Sequence, residues 1–203
     1  MRENQNGKIK YFIDFDDTLF DRGRFAPDLF SIVKKYGFDD AEIEGSYKVV
    51  YSDGYEGIWA HLSYLNKNVR SFDIDKAGRQ IESFLNRSCD YLFPEALPFL
   101  EKIDRKTFDV RLLTVGGLDF QKLKVVKCGI EKYFDQCHFT SVNKAAALVD
   151  LVTPKEQFIL LDDKEREVLA VRSVFPQSIA LQAEKGRLLK YLNPVLNDYQ
   201  TVH

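Results

Sequence analysis

The sequence predicts an α/β fold, a doubly wound parallel-sheet (Rossmann-like) core with an inserted all-helical cap domain. Three observations predict it. Five short apolar runs each lead into a polar or glycine-containing turn, helix-period segments separate the later four, and the stretch from Arg22 to Asp90 carries no strand pattern. Strands that alternate with helices imply a parallel sheet. Ligands of such sheets sit beyond the carboxyl ends of the strands.

The five runs are Ile9–Asp14, Asp109–Thr114, Gln136–Thr140, Gln157–Asp162 and Ser178–Leu181. Their β-branched, leucine and aromatic content fits strands buried on both faces, least clearly in the third. Between them, Leu97, Leu100 and Ile103 follow Pro94, and Leu118 to Lys127 is closed by Gly129 as a C-cap. Lys144 to Val152 and Lys164 to Ser173 supply two further helices. In the inserted stretch, Leu29, Ile32, Val33 and Tyr36 recur at helical spacing between Pro27 and Gly37. Ile43, Tyr47, Val50 and Tyr51 form a second stripe, Ile58, Trp59 and Leu62 a third, and Ile74, Ala77, Ile81, Phe84 and Leu85 a fourth. An insertion of about seventy residues is too long for a simple βα connection. The division expected is therefore a core of residues 1–21 and 91–203 with a helical cap over 22–90.

Composition narrows the function. The chain has 203 residues, 45% hydrophobic and 30% charged, which suits one core domain with a small insertion. A formal net charge of -2 gives no electrostatic reason to expect a nucleic-acid or membrane partner. Lys122, Lys124 and Lys127 read as one solvated helix face. Cys89, Cys128 and Cys137 lack ligand spacing, so reduced thiols are expected rather than disulfides or a zinc site. A polar N-terminus and short apolar runs lead to the expectation of a soluble, cytoplasmic protein.

The first strand runs into Asp14-Phe15-Asp16-Asp17-Thr18. Two carboxylates at the mouth of a parallel sheet repel one another unless a cation relieves them, and oxygen-only ligands favour Mg2+. The second strand ends in Thr114, followed by Val115-Gly116-Gly117, where a hydroxyl and backbone amides can approach a phosphoryl group. Lys144 opens the helix after the third strand, and the fourth strand closes on Asp162-Asp163 with Glu167 downstream. Taken singly, each feature is as readily a cap, a turn or a solvated lysine. Their shared position at the ends of consecutive strands points to one anion-handling, cation-dependent site.

In this order the motifs resemble those of the haloacid dehalogenase superfamily, in its phosphatase branch. Asp14-Phe15-Asp16-Asp17-Thr18-Leu19 is similar to that family's first motif. Thr114 takes the second-motif position, Lys144 the third, and Asp162-Asp163 with Glu167 the acidic fourth. The run Thr114-Val115-Gly116, Gln121, Lys124, Gly129 and Tyr133-Phe134-Asp135 is also similar. The resemblance implies that Asp14 attacks phosphorus to give an aspartyl-phosphate, with Asp16 as general acid and then base. It implies that Thr114 and Lys144 hold the phosphoryl oxygens. Mg2+ would be held by Asp14, the Asp16 carbonyl and Asp163, with Glu167 behind them. Asp162 stands where many relatives have glycine, which leaves open which aspartate meets the metal. Lys155 is an alternative to Lys144.

Rival readings are a phosphotransferase or mutase, which shares all the motifs, and a metal-independent dehalogenase, which typically lacks an acid at Asp16. A receiver-like signalling module would carry its acidic pair first, an order that does not fit. The cap aromatics Tyr47, Tyr51, Tyr55, Trp59 and Tyr64 read as the cap's own core rather than as substrate contacts, and His61 as an ordinary surface or packed histidine rather than a catalyst. The expected substrate is a small phosphorylated metabolite.

Overall fold

The computed structural model describes residues 7–52 and 57–194, apart from the side chains of Tyr51 and Ser52. Tyr55, and the side chain of Tyr51, lie outside the described residues. The strands are β1 (Ile9–Ile13), β2 (Phe108–Val115), β3 (Gln136–Thr140), β4 (Phe158–Asp162) and β5 (Ile179–Gln182). The helices are α1 (Arg22–Lys34), α2 (Asp40–Ser52), α3 (Ile58–Asn68), α4 (Ile74–Leu85), α5 (Ala96–Lys102), α6 (Leu118–Cys128), α7 (Lys144–Leu151) and α8 (Glu165–Val174). All strand pairings are parallel, in the order β3-β2-β1-β4-β5. Each predicted strand is present, including β3.

The order follows from burial. β1 lies between β2 and β4, with Ile13 opposite both Leu112 and Leu161. Its Tyr11, Phe12 and Ile13 are fully buried, which suits the centre of a sheet covered on both faces. Successive side chains feed opposite faces. Phe12 joins Leu113, Leu160 and Val168 on one face, whereas Tyr11 and Ile13 join Leu112, Leu161 and Phe99 on the other. The chain steps outward from β1 to β3 and then returns across β1 to β4. The strand order therefore reverses between β1 and β4, and the crevice outside their carboxyl ends is the site such sheets offer a ligand.

Helices α1 to α4 are all inserted between β1 and β2. Helix α1 begins at Arg22, earlier than the Pro27 start read from sequence, and it contains that proline. Asp21 caps it, accepting the Arg24 N–H at 3.0 Å, and Phe25 is buried in its first turn. A capped end and a buried aromatic outweigh the one hydrogen bond that Pro27 cannot donate. Gly129 ends α6 in the left-handed conformation, with φ 67°, as predicted.

Candidate active site

Beyond β1 the ladder continues for one residue, the Asp14 N–H donating to Leu161 O at 2.9 Å. The chain then folds into a tight turn in which Phe15 O accepts from Thr18, Leu19 and Phe20. Asp17 adopts φ 63°, a left-handed conformation that aspartate tolerates better than most residues. This turn separates the two carboxylates. Asp14 Oδ1 accepts from Lys144 Nζ at 2.5 Å, and Asp14 Oδ2 from the Thr18 hydroxyl at 3.3 Å. Asp16 instead meets Lys124 Nζ at 2.6 and 2.8 Å through its two oxygens, and Gln121 Nε2 at 2.7 Å.

The repulsion between Asp14 and Asp16, assigned from sequence to a bound divalent ion, is thus relieved by two lysines. Lys124 is not on a solvated face. It is 3% exposed, with Nζ between 5.2 and 5.7 Å from the ring centres of Phe15, Phe20, Phe25 and Phe120. Phe120, Lys124 and Cys128 are all buried at four-residue spacing on α6, so the lysine occupies an apolar-stripe position. That placement is the signal the lysine run concealed.

Lys144 is the lysine brought to Asp14. It opens α7, whose N-cap Asn143 accepts from the Ala146 N–H, and its own N–H donates to Glu167 Oε2 at 2.9 Å. Its ammonium also bonds Asp162 Oδ2. Lys155 lies exposed in the turn before β4, at the other end of the strand from the site. Glu167 therefore fixes Lys144. Asp162 is fully buried with both oxygens engaged, Oδ1 accepting the Lys164 N–H at 2.8 Å. Asp163 is less buried, its N–H donates to Thr18 Oγ1 at 3.1 Å, and its Oδ1 is buried without a hydrogen-bond partner among the described residues.

Oxygens of Asp14, Asp162 and Asp163 lie within 4.8 Å of one another. An all-carboxylate group with an unpartnered buried oxygen fits a hard divalent cation such as Mg2+. The electrostatics agree. Burial, reinforced by Asp162 and Asp16, pushes Asp14 up to about 7 against the pull of Lys144. Burial and then Asp162 raise Asp163 as well. Lys144 is raised, since Asp14 and Asp162 outweigh its own burial. Asp16 goes the other way, for although burial opposes its ionisation, Lys124 and Gln121 hold its carboxyl below the ordinary range.

At the end of β2 the Thr114 hydroxyl is buried and has no hydrogen-bond partner among the described residues. Gly116 does not match the amide role expected of it. Its N–H already donates to Thr140 O at 2.9 Å. Its lack of a side chain serves Gln121, because a Cβ on Gly116 would lie 2.7 Å from Gln121 Nε2. Val115 stands opposite Thr140 in the ladder, and its carbonyl accepts from Gln121 at 3.2 Å.

Two residues that sequence reasoning passed over flank the turn. Arg22 Nε at 3.1 Å and Lys185 Nζ at 2.9 Å both pair with the buried Asp17, tying the start of α1 and the segment after β5 to the site. His61 is fully buried among the inserted helices. Its Nε2 is 2.7 Å from Ser46 Oγ, and its ring packs edge-on against Phe30 and Tyr47.

No protein-family profile and no curated protein matches the sequence. Solved structures do. A provisionally assigned haloacid dehalogenase-like hydrolase of Burkholderia xenovorans superposes with a TM-score of 0.71 at 18% identity, over 90% of this chain and 85% of its own. A provisionally assigned β-phosphoglucomutase of Thermotoga maritima gives 0.60 at 17% identity, over 92% and 99%. A provisionally assigned hydrolase of the same kind from Bacillus subtilis, solved with bound magnesium, gives 0.56 at 13%, over 94% and 99%. With its five-stranded parallel sheet in that arrangement, the chain has the fold of the haloacid dehalogenase-like hydrolases.

Proposed function

We propose that the chain is a Mg2+-dependent phosphohydrolase that cleaves small phosphate monoesters through an aspartyl-phosphate on Asp14. The observation that carries this reading is one convergence. A buried carboxylate on Lys144, an unpartnered Thr114 hydroxyl and a three-carboxylate cluster all meet at the crevice between β1 and β4. The magnesium bound to a structural neighbour from Bacillus subtilis supports the choice of ion.

Asp14, Asp163 and the Asp16 carbonyl would hold the ion, which supplies positive charge against the phosphoryl oxygens and the nucleophile. An Asp14 oxygen attacks phosphorus and the P–O bond to the leaving group breaks. Thr114 Oγ1 and Lys144 Nζ hold the non-bridging oxygens as charge spreads over them. Asp16 in its protonated form gives its proton to the departing alkoxide, is left as the carboxylate that Lys124 stabilises, and then takes a proton from the water that hydrolyses the aspartyl-phosphate. The contact with Lys124 favours the ionised form of Asp16, the form that the second half-reaction needs. Asp162 and Glu167 act by fixing Lys144 from its side chain and its backbone. The presence of Asp16 disfavours a metal-independent dehalogenase.

The test is phosphate release from p-nitrophenyl phosphate and from a panel of phosphorylated metabolites. Release should require Mg2+ and stop with EDTA. Metal-independent turnover would overturn the assignment.

A further inference from the structure

Asp17 is buried and carries two cations where one would neutralise it. Arg22 Nε pairs with its Oδ2 at 3.1 Å, and Lys185 Nζ with its Oδ1 at 2.9 Å. The left-handed turn at Asp17, with φ 63°, would suit glycine or asparagine as well, so the carboxylate is there for its charge. Two cations on the two oxygens of one carboxylate repel each other and leave one positive charge unmatched. The neighbouring carboxylates do not answer it, since Asp16 is taken by Lys124, and Asp14 and Asp162 by Lys144.

Both cationic tips are open to solvent beside the crevice. The side chain of Arg22 is 56% exposed and that of Lys185 59%, although the aspartate between them is buried. Among the described residues only the Nε–H of Arg22 is hydrogen-bonded. Its two terminal NH2 groups remain, in a planar guanidinium that matches a carboxylate or a phosphate. Part burial works against the Arg22 charge, yet Asp17, Asp16 and the Tyr47 phenol of α2 raise the guanidinium above its ordinary value. Arg22 therefore stands between the site and the inserted helices. Lys185 comes from the other direction, on a segment laid along the end of β4. There the Ala183 N–H donates to Asp162 O at 2.8 Å, and Gln182 Nε2 to Asp163 O at 3.2 Å.

Resting on the phosphohydrolase reading above, we propose that Arg22 and Lys185, braced by Asp17, form a second anion subsite. It selects phosphate esters whose leaving group carries its own negative charge, a carboxylate or a second phosphate. The phosphoryl group sits on Thr114 and Lys144, and the second anion lies at the mouth between the two exposed cations. Arg22 and Lys185 touch the leaving group and not the reacting atoms.

Phosphate release by the full chain with Mg2+ is measured on esters paired to differ in one group. The pairs are phosphoglycolate against hydroxyethyl phosphate, phosphoglycerate against glycerol phosphate, and glycerol bisphosphate against glycerol phosphate. At least one charged ester should exceed its neutral counterpart by about tenfold to a hundredfold in kcat/KM, mostly through KM. The pair with the largest ratio tells carboxylate from phosphate. Arg22→Gln should cut that ratio by about tenfold, and Lys185→Gln by about threefold. Lys155→Gln removes the same charge from the turn before β4, at the far end of that strand, and should keep the ratio. Equal kcat/KM within every pair overturns the inference. So does a ratio that survives Arg22→Gln while both esters slow alike, which is a structural role for the Asp17 contacts. A ratio that falls as far in Lys155→Gln also overturns it, as the effect of long-range charge alone. If Arg22→Gln does not fold, Lys185→Gln decides. Release without discrimination sinks only this inference, whereas absent Mg2+-dependent release from every ester sinks the phosphohydrolase reading and this inference with it.

Discussion

In the proposed reaction the buried Asp14 is at once a metal ligand, a hydrogen-bond acceptor and the nucleophile. Asp14→Asn keeps the shape but cannot form an aspartyl-phosphate, so turnover should fall by about a thousandfold or more with the fold intact by circular dichroism. Burial sets a second consequence. With its carboxyl lifted to about 7, Asp14 holds a proton below that pH which a cation must displace. Mg2+ affinity should therefore rise as pH climbs toward about 7 and level off above it, with proton uptake by the buffer on binding. Calorimetry in two buffers of different ionisation enthalpy reads both effects. Asp163 and Asp162 divide along the same line. Asp163 has a spare buried oxygen, whereas Lys144 and the Lys164 N–H occupy those of Asp162. Asp163→Ala should raise the Mg2+ concentration needed for half-maximal activity by about tenfold or more, and Asp162→Ala by less. The reverse order would place the metal on Asp162.

Helices α2 and α3 are joined by the contact between His61 and Ser46. Burial holds His61 down at about 4, below its usual 6.5, so the unfolded chain takes up protons first. The stability contributed by the neutral ring is complete above about 6.5 and is lost as pH falls toward and through about 4. His61→Phe should flatten the dependence of urea stability on pH across that interval. A slope unchanged from wild type would mean that other groups produce it. At this scale the strands were legible because each is a continuous apolar run, and the placement of Asp14, Thr114, Lys144 and Asp163 was legible because each ends or follows such a run or opens the next helix. Lys124 was not, because sequence cannot distinguish a lysine on a wet face from one whose apolar stripe neighbours enclose it. Gly116 misled for a related reason. A glycine beside a strand end suggests an open backbone amide, but the vacancy that matters here is the one filled by the Gln121 side chain. The early start of α1 was hidden by Pro27, whose lost hydrogen bond Asp21 and Phe25 outweigh.

Across the whole molecule, the inserted helices reach the mouth of the sheet at several points. Arg22 pairs with Asp17, Phe25 packs near Phe120, and Gly57 approaches Phe120 so closely that a Cβ would come within 2.8 Å of it. We propose that residues 22–90 form a cap that covers the crevice, excludes water and limits entry to small groups. Sugar phosphates, nucleotides and short acid phosphates should then be hydrolysed with far higher kcat/KM than phosphopeptides or intact phosphoproteins. A phosphoprotein better than every small ester would make the insertion a docking surface instead. Among the described residues no helix is long and apolar enough to cross a membrane. The central claim is covalent, and it is tested most directly by rapid acid quench during turnover of a small ester labelled on phosphorus. The account predicts label on the peptide that carries Asp14, released by hydroxylamine and absent both without Mg2+ and in Asp14→Asn. Turnover with no labelled protein at any quench time, or label on a different residue, would contradict it.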